Sequence, residues 1–321
     1  MKTMTAGRFT PPGAPEAEVR IDCCLVQELL RGQAPQWAEL PVAYFASGWD
    51  NEIYRLGPRH LIRLPRRAQA ERIGTQERAW LARLAADTGL SPGLALHVGH
   101  PTATYPFSFS VVPFVPGVSA ASLPRAERDA YAPALAGYLR ALHVPAPAQA
   151  PTSNFRGLAL RELDGATRAL LPRLPAGRRP AAAAIWAAAL RAADHAGAPL
   201  WLHGDPHPHN TIVRRAAAGY RFAALVDFGD LCAGDPASNL GMLWLHFGSS
   251  ARTRALERYG VSDGEDLWHR ARGWALRYGL LLCQLDPGGP VGVHRAGKPG
   301  PAALRRSIAG FAACGNRETR T

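Results

Sequence analysis

"LHGDPHPHNTIV", residues 202–213, sets three histidines, an aspartate and an asparagine in one short stretch. His203, Asp205, His207 and His209 alternate, so on a strand they would share a face and could chelate a metal. Pro206 and Pro208 exclude a central strand, because proline has no amide to give to a sheet. The segment reads as a loop. Three readings stay open at this point: a zinc site, a polar turn without chemistry, and a catalytic loop.

A second stretch bears on the choice. Asn210 lies five residues after Asp205, and Asp227, in "ALVDFGDL" (224–231), lies seventeen after Asn210. Asp-x-x-x-x-Asn followed by Asp-Phe-Gly is the order used in kinase sites. The order has a mechanical reason. One aspartate meets the acceptor hydroxyl, the asparagine turns back toward a metal on the phosphates, and the second aspartate reaches that metal from a neighbouring strand. Each element alone is a weak signal, whereas the ordered trio is a strong one.

The rest of the chain bounds what surrounds this loop. Its 321 residues, 47% hydrophobic, suffice for two modest domains or one large one. The net charge of +12 raises nucleic acid as a partner. The basic residues are spread along the chain, almost all arginine, with no groove-reading motif, so no nucleic acid is expected. Cys23, Cys24, Cys232, Cys283 and Cys314 are odd in number and scattered, which points to a reducing compartment. The N-terminus lacks an apolar signal core, and the apolar run around 181–190 is about half a membrane span. A cytoplasmic protein without membrane contact is expected, monomer or dimer.

The secondary-structure signal changes once along the chain. Residues 41–65 carry short β-rich runs split by Ser-Gly and Gly-Pro turns, which predicts antiparallel strands. Residues 68–87 predict a helix with Ile73, Trp80, Leu81 and Leu84 on one stripe. Residues 107–115 predict a strand, ended by Pro113, Pro116 and Gly117. Beyond about 125 the pattern is helical, over 125–143, 160–172, 180–195, 238–248, 252–259 and 264–285. Two short strands, "PLWLH" and "YRFAALVDF", interrupt it. The Pro-, Gly- and Thr-rich segment 1–18 is expected to be mobile, 286–301 a loop, and the last eight residues frayed.

"HGDPHPHN" followed by "VDFGD" resembles the aminoglycoside phosphotransferase family of antibiotic and small-molecule kinases. "SGWDNEIYRLG" (47–57), "IRLPRR" (62–67), "NFRGLALRE" (154–162) and "GDPASNLG" (234–241) extend the resemblance over most of the chain. It implies an α+β, bilobal protein-kinase-like fold. A small antiparallel-sheet N-lobe with one helix spans 19–114, and a larger, mostly helical C-lobe spans 115–321. It implies transfer of the γ-phosphoryl group of ATP or GTP, with Mg²⁺, to a hydroxyl of a small molecule, an antibiotic of aminoglycoside or macrolide type. A metabolite kinase or a nucleotide-binding pseudokinase are the alternatives.

Carried over residue by residue, the resemblance makes Asp205 the base or hydroxyl-orienting carboxylate and gives Mg²⁺ to Asn210 and Asp227. Ser47, Gly48 and Asn51 belong to a turn that offers amides to phosphates. Val112 and Phe114 lie in the hinge that meets the base. Glu77 shares the apolar stripe of its helix and so needs a partner. That partner is Arg63, where most kinases have lysine. His203 positions the loop, His207 has no fixed role, and His209 faces substrate or solvent. Asn239 stands where the family usually has aspartate, in a position that braces the catalytic loop. Asp230 and Asp235 read equally as an acidic field near the acceptor or as an ordinary polar loop. Glu257, Asp263, Glu265 and Asp266 read as a solvated face.

Overall fold

The structure is a computed structural model and describes residues 15–217 and 219–284. Most of the expected mobile segment 1–18, the expected loop 286–301 and the chain end lie outside the described residues. Two compact units divide what is described: 15–82 with 93–115, and 83–92 with 116–284.

The first unit opens with helix α1 (Cys23–Gln33), capped by the Asp22 side chain, which accepts from the Leu25 amide. Strands β1 (Val42–Ser47), β2 (Asn51–Leu56) and β3 (His60–Pro65) form the expected hairpins. Helix α2 (Ala68–Thr88) follows, then β4 (His97–Gly99) and β5 (Phe109–Pro113). The sheet is antiparallel in the order β1-β2-β3-β5-β4. Period-two burial along β2 and β3 puts Tyr54, Leu56, Ile62 and Leu64 into a core with Phe109, Val111 and, from α1, Val26, Leu29 and Leu30. A second helix and strand β4 thus add to the elements expected here. Their signals are short: one cap with three apolar residues, and three residues of strand.

The second unit alternates short strands with helices. It runs through β6 (Val118–Ser119), α3 (Arg125–Arg128), α4 (Ala132–Leu142), α5 (Asp164–Arg168), α6 (Arg179–Arg191), β7 (Leu200–Leu202), β8 (Thr211–Ala216), β9 (Gly219–Leu225) and β10 (Cys232–Gly234). Helices α7 (Ala237–Gly241), α8 (Leu243–His246), α9 (Ser249–Tyr259) and α10 (Asp266–Gln284) complete it. Helix α4 packs on α9, and α10 packs on α6 and α7. Several expected helices are shorter than their apolar pattern, and 160–172 resolves into 3₁₀ turns flanking α5. The small sheets carry the loops of interest. β7 pairs with β10, and β8 pairs with β9, placing Thr211 opposite Leu225. β8 is a strand the sequence reading passes over, because the adjacent Arg214 and Arg215 obscure the alternation of buried Thr211 and Val213.

Candidate active site

The loop 203–210 leaves β7 and is held from several sides. Gly204 has a φ of 85°, and a Cβ there would meet the Asp230 carbonyl oxygen at 2.1 Å, so only glycine fits. The buried His203 ring accepts the Asp205 amide on Nδ1 (3.2 Å), which leaves Nε2–H to donate to the Val226 carbonyl (3.1 Å). Its ring also packs on Phe228, with centroids 4.3 Å apart. His203 therefore has the structural place expected of it.

Two buried relays brace this loop. Asn239 Oδ1 accepts the Gly204 amide (3.3 Å), and its Nδ2 donates to His143 Nε2 (3.1 Å). His143 Nδ1 lies 2.7 Å from the Tyr259 hydroxyl. The asparagine thus keeps a bracing contact despite the lost charge. In the second relay, His246 Nε2 donates to the Pro206 carbonyl (2.9 Å), and its Nδ1 lies 2.8 Å from the Tyr131 hydroxyl. Burial, reinforced by His195, pushes His143 down to about 3. Burial also pushes His246 down to about 3, against the pull of the Pro206 carbonyl. Both rings are neutral scaffolding at ordinary pH.

The chemistry-bearing side chains sit on this frame. The Asp205 carboxylate meets Arg156 Nη2 through Oδ1 (3.1 Å) and His207 Nε2 through Oδ2 (3.4 Å). His207 Nδ1 accepts the Asn210 amide (3.3 Å), which fixes the proton on Nε2, facing Asp205. Asn210 Nδ2 donates to the Asp205 carbonyl (3.1 Å), and the Asn210 carbonyl accepts the Val226 amide (2.9 Å). The β8–β9 pairing therefore brings Asn210 and Asp227 to the same end of one hairpin. Asp227 has a φ of 66°, the one non-glycine among the described residues with positive φ. Such a backbone is uncommon outside glycine and concentrates at functional sites. Oxygen donors from an amide and a carboxylate suit a hard divalent ion such as Mg²⁺.

Arg156 is a site residue that the sequence reading leaves without a role. Its guanidinium reaches Asp205 and also Asp230, at 3.1 Å from Nη2 and 3.3 Å from Nε. Burial opposes its charge, but Tyr278, Asp205 and Asp230 outweigh that and raise its pKa. Its only sequence signal is membership of "NFRGLALRE", because the pairing joins positions 49 and 74 residues apart. Asp235 is likewise paired, with Arg270 of α10 (2.7 Å), both side chains buried. The histidines do not converge as the zinc reading requires. Among the described residues no group of three or more His, Cys, Asp or Glu side chains is arranged to hold a metal.

In the first unit, Arg63 of β3 and Glu77 of α2 form the expected pair, two parallel bonds of 2.9 and 3.1 Å, with Glu77 buried. Ser47, Gly48 and Asn51 lie at the β1–β2 turn. There the Gly48 amide closes the turn on the Asn51 carbonyl (2.9 Å), and the Gly48 carbonyl accepts from Arg66 (3.1 Å). The turn is thus clamped, and the Gly48 amide is engaged within it. Ser47 Oγ is buried with no hydrogen-bond partner among the described residues. Val112 of β5 pairs with Leu61 of β3. The Phe114 amide donates to the Arg59 carbonyl (2.8 Å) and is engaged there. Arg55 lies over the Phe114 ring, 3.3 Å from its centroid.

In the second unit an aspartate and an asparagine stand on one loop with an Asp-Phe-Gly aspartate beside them, in the order used in kinase sites, and the first unit carries an Arg–Glu pair on its five-stranded antiparallel sheet. The model of the phosphotransferase enzyme family matches residues 42–274, and the chain belongs to that family. Solved structures share the fold. The aminoglycoside phosphotransferase known as a GDP and kanamycin complex is 17% identical, with a TM-score of 0.63, covering 92% of this chain and 99% of its own. One known as a streptomycin–ATP ternary complex is 19% identical, with a TM-score of 0.55, covering 83% and 91%. The macrolide 2′-phosphotransferase of Brachybacterium faecium is 20% identical, with a TM-score of 0.57, covering 90% and 97%. No curated protein matches the sequence. Among the described residues no helix is long and apolar enough to cross a membrane.

Proposed function

We propose that the protein transfers the γ-phosphoryl group of a magnesium–nucleoside triphosphate, ATP or GTP, to a hydroxyl of a small molecule. An antibiotic of aminoglycoside or macrolide type is the leading acceptor class. The observation that carries the reading is the grouping of Asp205, Asn210 and Asp227 at one end of the β8–β9 hairpin. Asp205 accepts the acceptor hydroxyl's proton or orients that hydroxyl for in-line attack. Asn210 and Asp227 hold Mg²⁺, which when bound supplies charge neutralisation on the phosphates. Arg63, locked by Glu77, reaches the α- and β-phosphates as a fork where lysine would act as a point. The β1–β2 turn of Ser47, Gly48 and Asn51 faces the phosphates, with the Gly48 amide itself closing the turn. Val112 and Phe114 line the base through side chain and carbonyl. The pseudokinase reading is weakened because Arg63 and Asn239 both make the contacts their positions require.

Thermal shift with ATP and GTP, each with and without Mg²⁺, tests this first. A Mg²⁺-dependent rise in Tm is expected with at least one nucleotide. No shift with either, well above typical affinities, would remove the proposal. An acceptor screen led by kanamycin and a macrolide then separates antibiotic from metabolite acceptors.

A further inference from the structure

Arg156 enters the catalytic loop from a distant segment that is itself rigidly held. The Ser153 hydroxyl accepts the amides of Phe155 (3.3 Å) and Arg156 (3.1 Å). The Gly157 carbonyl accepts the Asp235 amide (2.8 Å), and the Ala233 amide donates to the Pro151 carbonyl (2.8 Å), tying the segment to β10. Gly157, with a φ of 67°, lies so close to Gly234 that a Cβ on Gly157 would come within 3.1 Å of the Gly234 Cα. From this mount the Arg156 side chain, 15% exposed, passes over the Tyr278 ring at 5.3 Å from its centroid.

The guanidinium is planar, with donors at fixed angles. Asp230 Oδ2 takes Nε and Nη2 along one edge, which sets the plane. Nη2 then meets Asp205 Oδ1. The terminal torsion of an aspartate is soft and roughly two-fold, so a carboxylate without lateral contacts swings. Asp205 has one on each oxygen, Arg156 on Oδ1 and His207 Nε2 on Oδ2. We infer that Arg156, with its plane set by Asp230, is a positioning residue that fixes the orientation of the Asp205 carboxylate before any acceptor binds. This rests on the proposed role of Asp205. Misplacing a reacting group by about 1 Å can cost on the order of a hundredfold in rate.

A water in place of the acceptor hydroxyl would meet the same Asp205 carboxylate. Slow hydrolysis of Mg–ATP and Mg–GTP is therefore the probe, with nucleotide affinity measured separately on the full chain. Arg156→Gln is expected to lower kcat for hydrolysis about tenfold or more with nucleotide Kd changed less than about twofold. Arg156→Lys restores part of the loss, because it returns the charge without the fork. Asp230→Asn, which keeps Arg156 but loosens its plane, lowers kcat about threefold. If Arg156→Gln does not fold, as melting curves will show, the lysine and Asp230 variants decide: both at wild-type kcat overturns the inference. Hydrolysis within twofold of wild type in Arg156→Gln overturns it and leaves the kinase reading standing. A wild type that binds Mg–nucleotide without hydrolysing it also overturns the inference alone. A wild type that binds neither nucleotide overturns the kinase reading and the inference with it.

Discussion

Asp205 and Asp227 are both aspartates on loops, yet their surroundings predict different losses. Asp205 keeps ordinary backbone geometry and is held by its side-chain partners, so Asp205→Ala is expected to abolish turnover, more than about a hundredfold, and to leave Mg–nucleotide binding intact. Asp227 sits at positive φ, which asparagine tolerates better than alanine. Asp227→Asn is therefore the cleaner test, and it should lose the Mg²⁺-dependence of nucleotide binding while keeping the wild-type Tm without ligand. Calorimetric titration of both variants with Mg–ATP and Mg–GTP reads this directly. Asn239 makes the third case. Its removal strands the Gly204 amide and His143 Nε2, so Asn239→Ala should cost about 2–4 kcal/mol in chemical denaturation. Asn239→Asp should cost under about 1 kcal/mol. The His143 ring can move its proton to Nε2 and accept the Tyr259 hydroxyl on Nδ1. Equal damage from the two variants would refute the relay.

At the scale of elements, helix approach is set by glycines that face backbone. A Cβ on Gly241 of α7 would fall 2.8 Å from Trp274 Cβ, 2.9 Å from the Ala275 amide nitrogen and 3.0 Å from the Ala271 carbonyl oxygen, all on α10. Helix α7 follows the Asp235 loop, and α10 supplies Arg270 to Asp235, so this close crossing helps to place that buried ion pair. Gly241→Ala should destabilise by about 1–3 kcal/mol through overpacking. Gly165 of α5 faces open space, and Gly165→Ala should be neutral or stabilise by about 0.5–1 kcal/mol through helix propensity. Paired urea melts of the two variants check the contrast. If both glycines tolerate alanine equally, the α7–α10 approach is looser than described.

At the scale of the whole molecule, charge and acid sensitivity follow from what is buried. Part of the arginine complement is engaged within the fold. Arg63, Arg156 and Arg270 are paired with carboxylates, while Arg125 and Arg128 donate to the carbonyls of Trp244, Phe247, Leu123 and Leu245. A basic composition of this kind serves the interior and need not mark a nucleic-acid surface. The two buried histidines set an acid limit. Unfolded, His143 and His246 take a proton near pH 6.5, whereas in the fold they take it only near 3. Between those limits the unfolded chain binds more protons, so stability falls as pH drops. The slope contributed is about 1.4 kcal/mol per pH unit for each ring. Denaturation midpoints from pH 7.5 to 4 should show this fall, and a flat profile would contradict the buried neutral rings.

What the sequence determined by itself was the local and the ordered. Short β-rich runs split by Ser-Gly and Gly-Pro turns placed β2 and β3, and Pro206 and Pro208 kept the histidine stretch out of a sheet. The Asp205–Asn210–Asp227 order pointed to kinase chemistry, because that order of residues is what such a site requires. The Arg63–Glu77 pair was legible too, since a carboxylate on an apolar stripe requires a partner. Tertiary structure alone decided the rest. The Arg156 bridge, the His143 and His246 relays and the Asp235–Arg270 pair join positions 35 to 116 residues apart. Each depends on the direction of a polar side chain inside a packed interior. No periodicity or propensity encodes such a direction, because it is set by which groups remain to be satisfied once the apolar faces have closed.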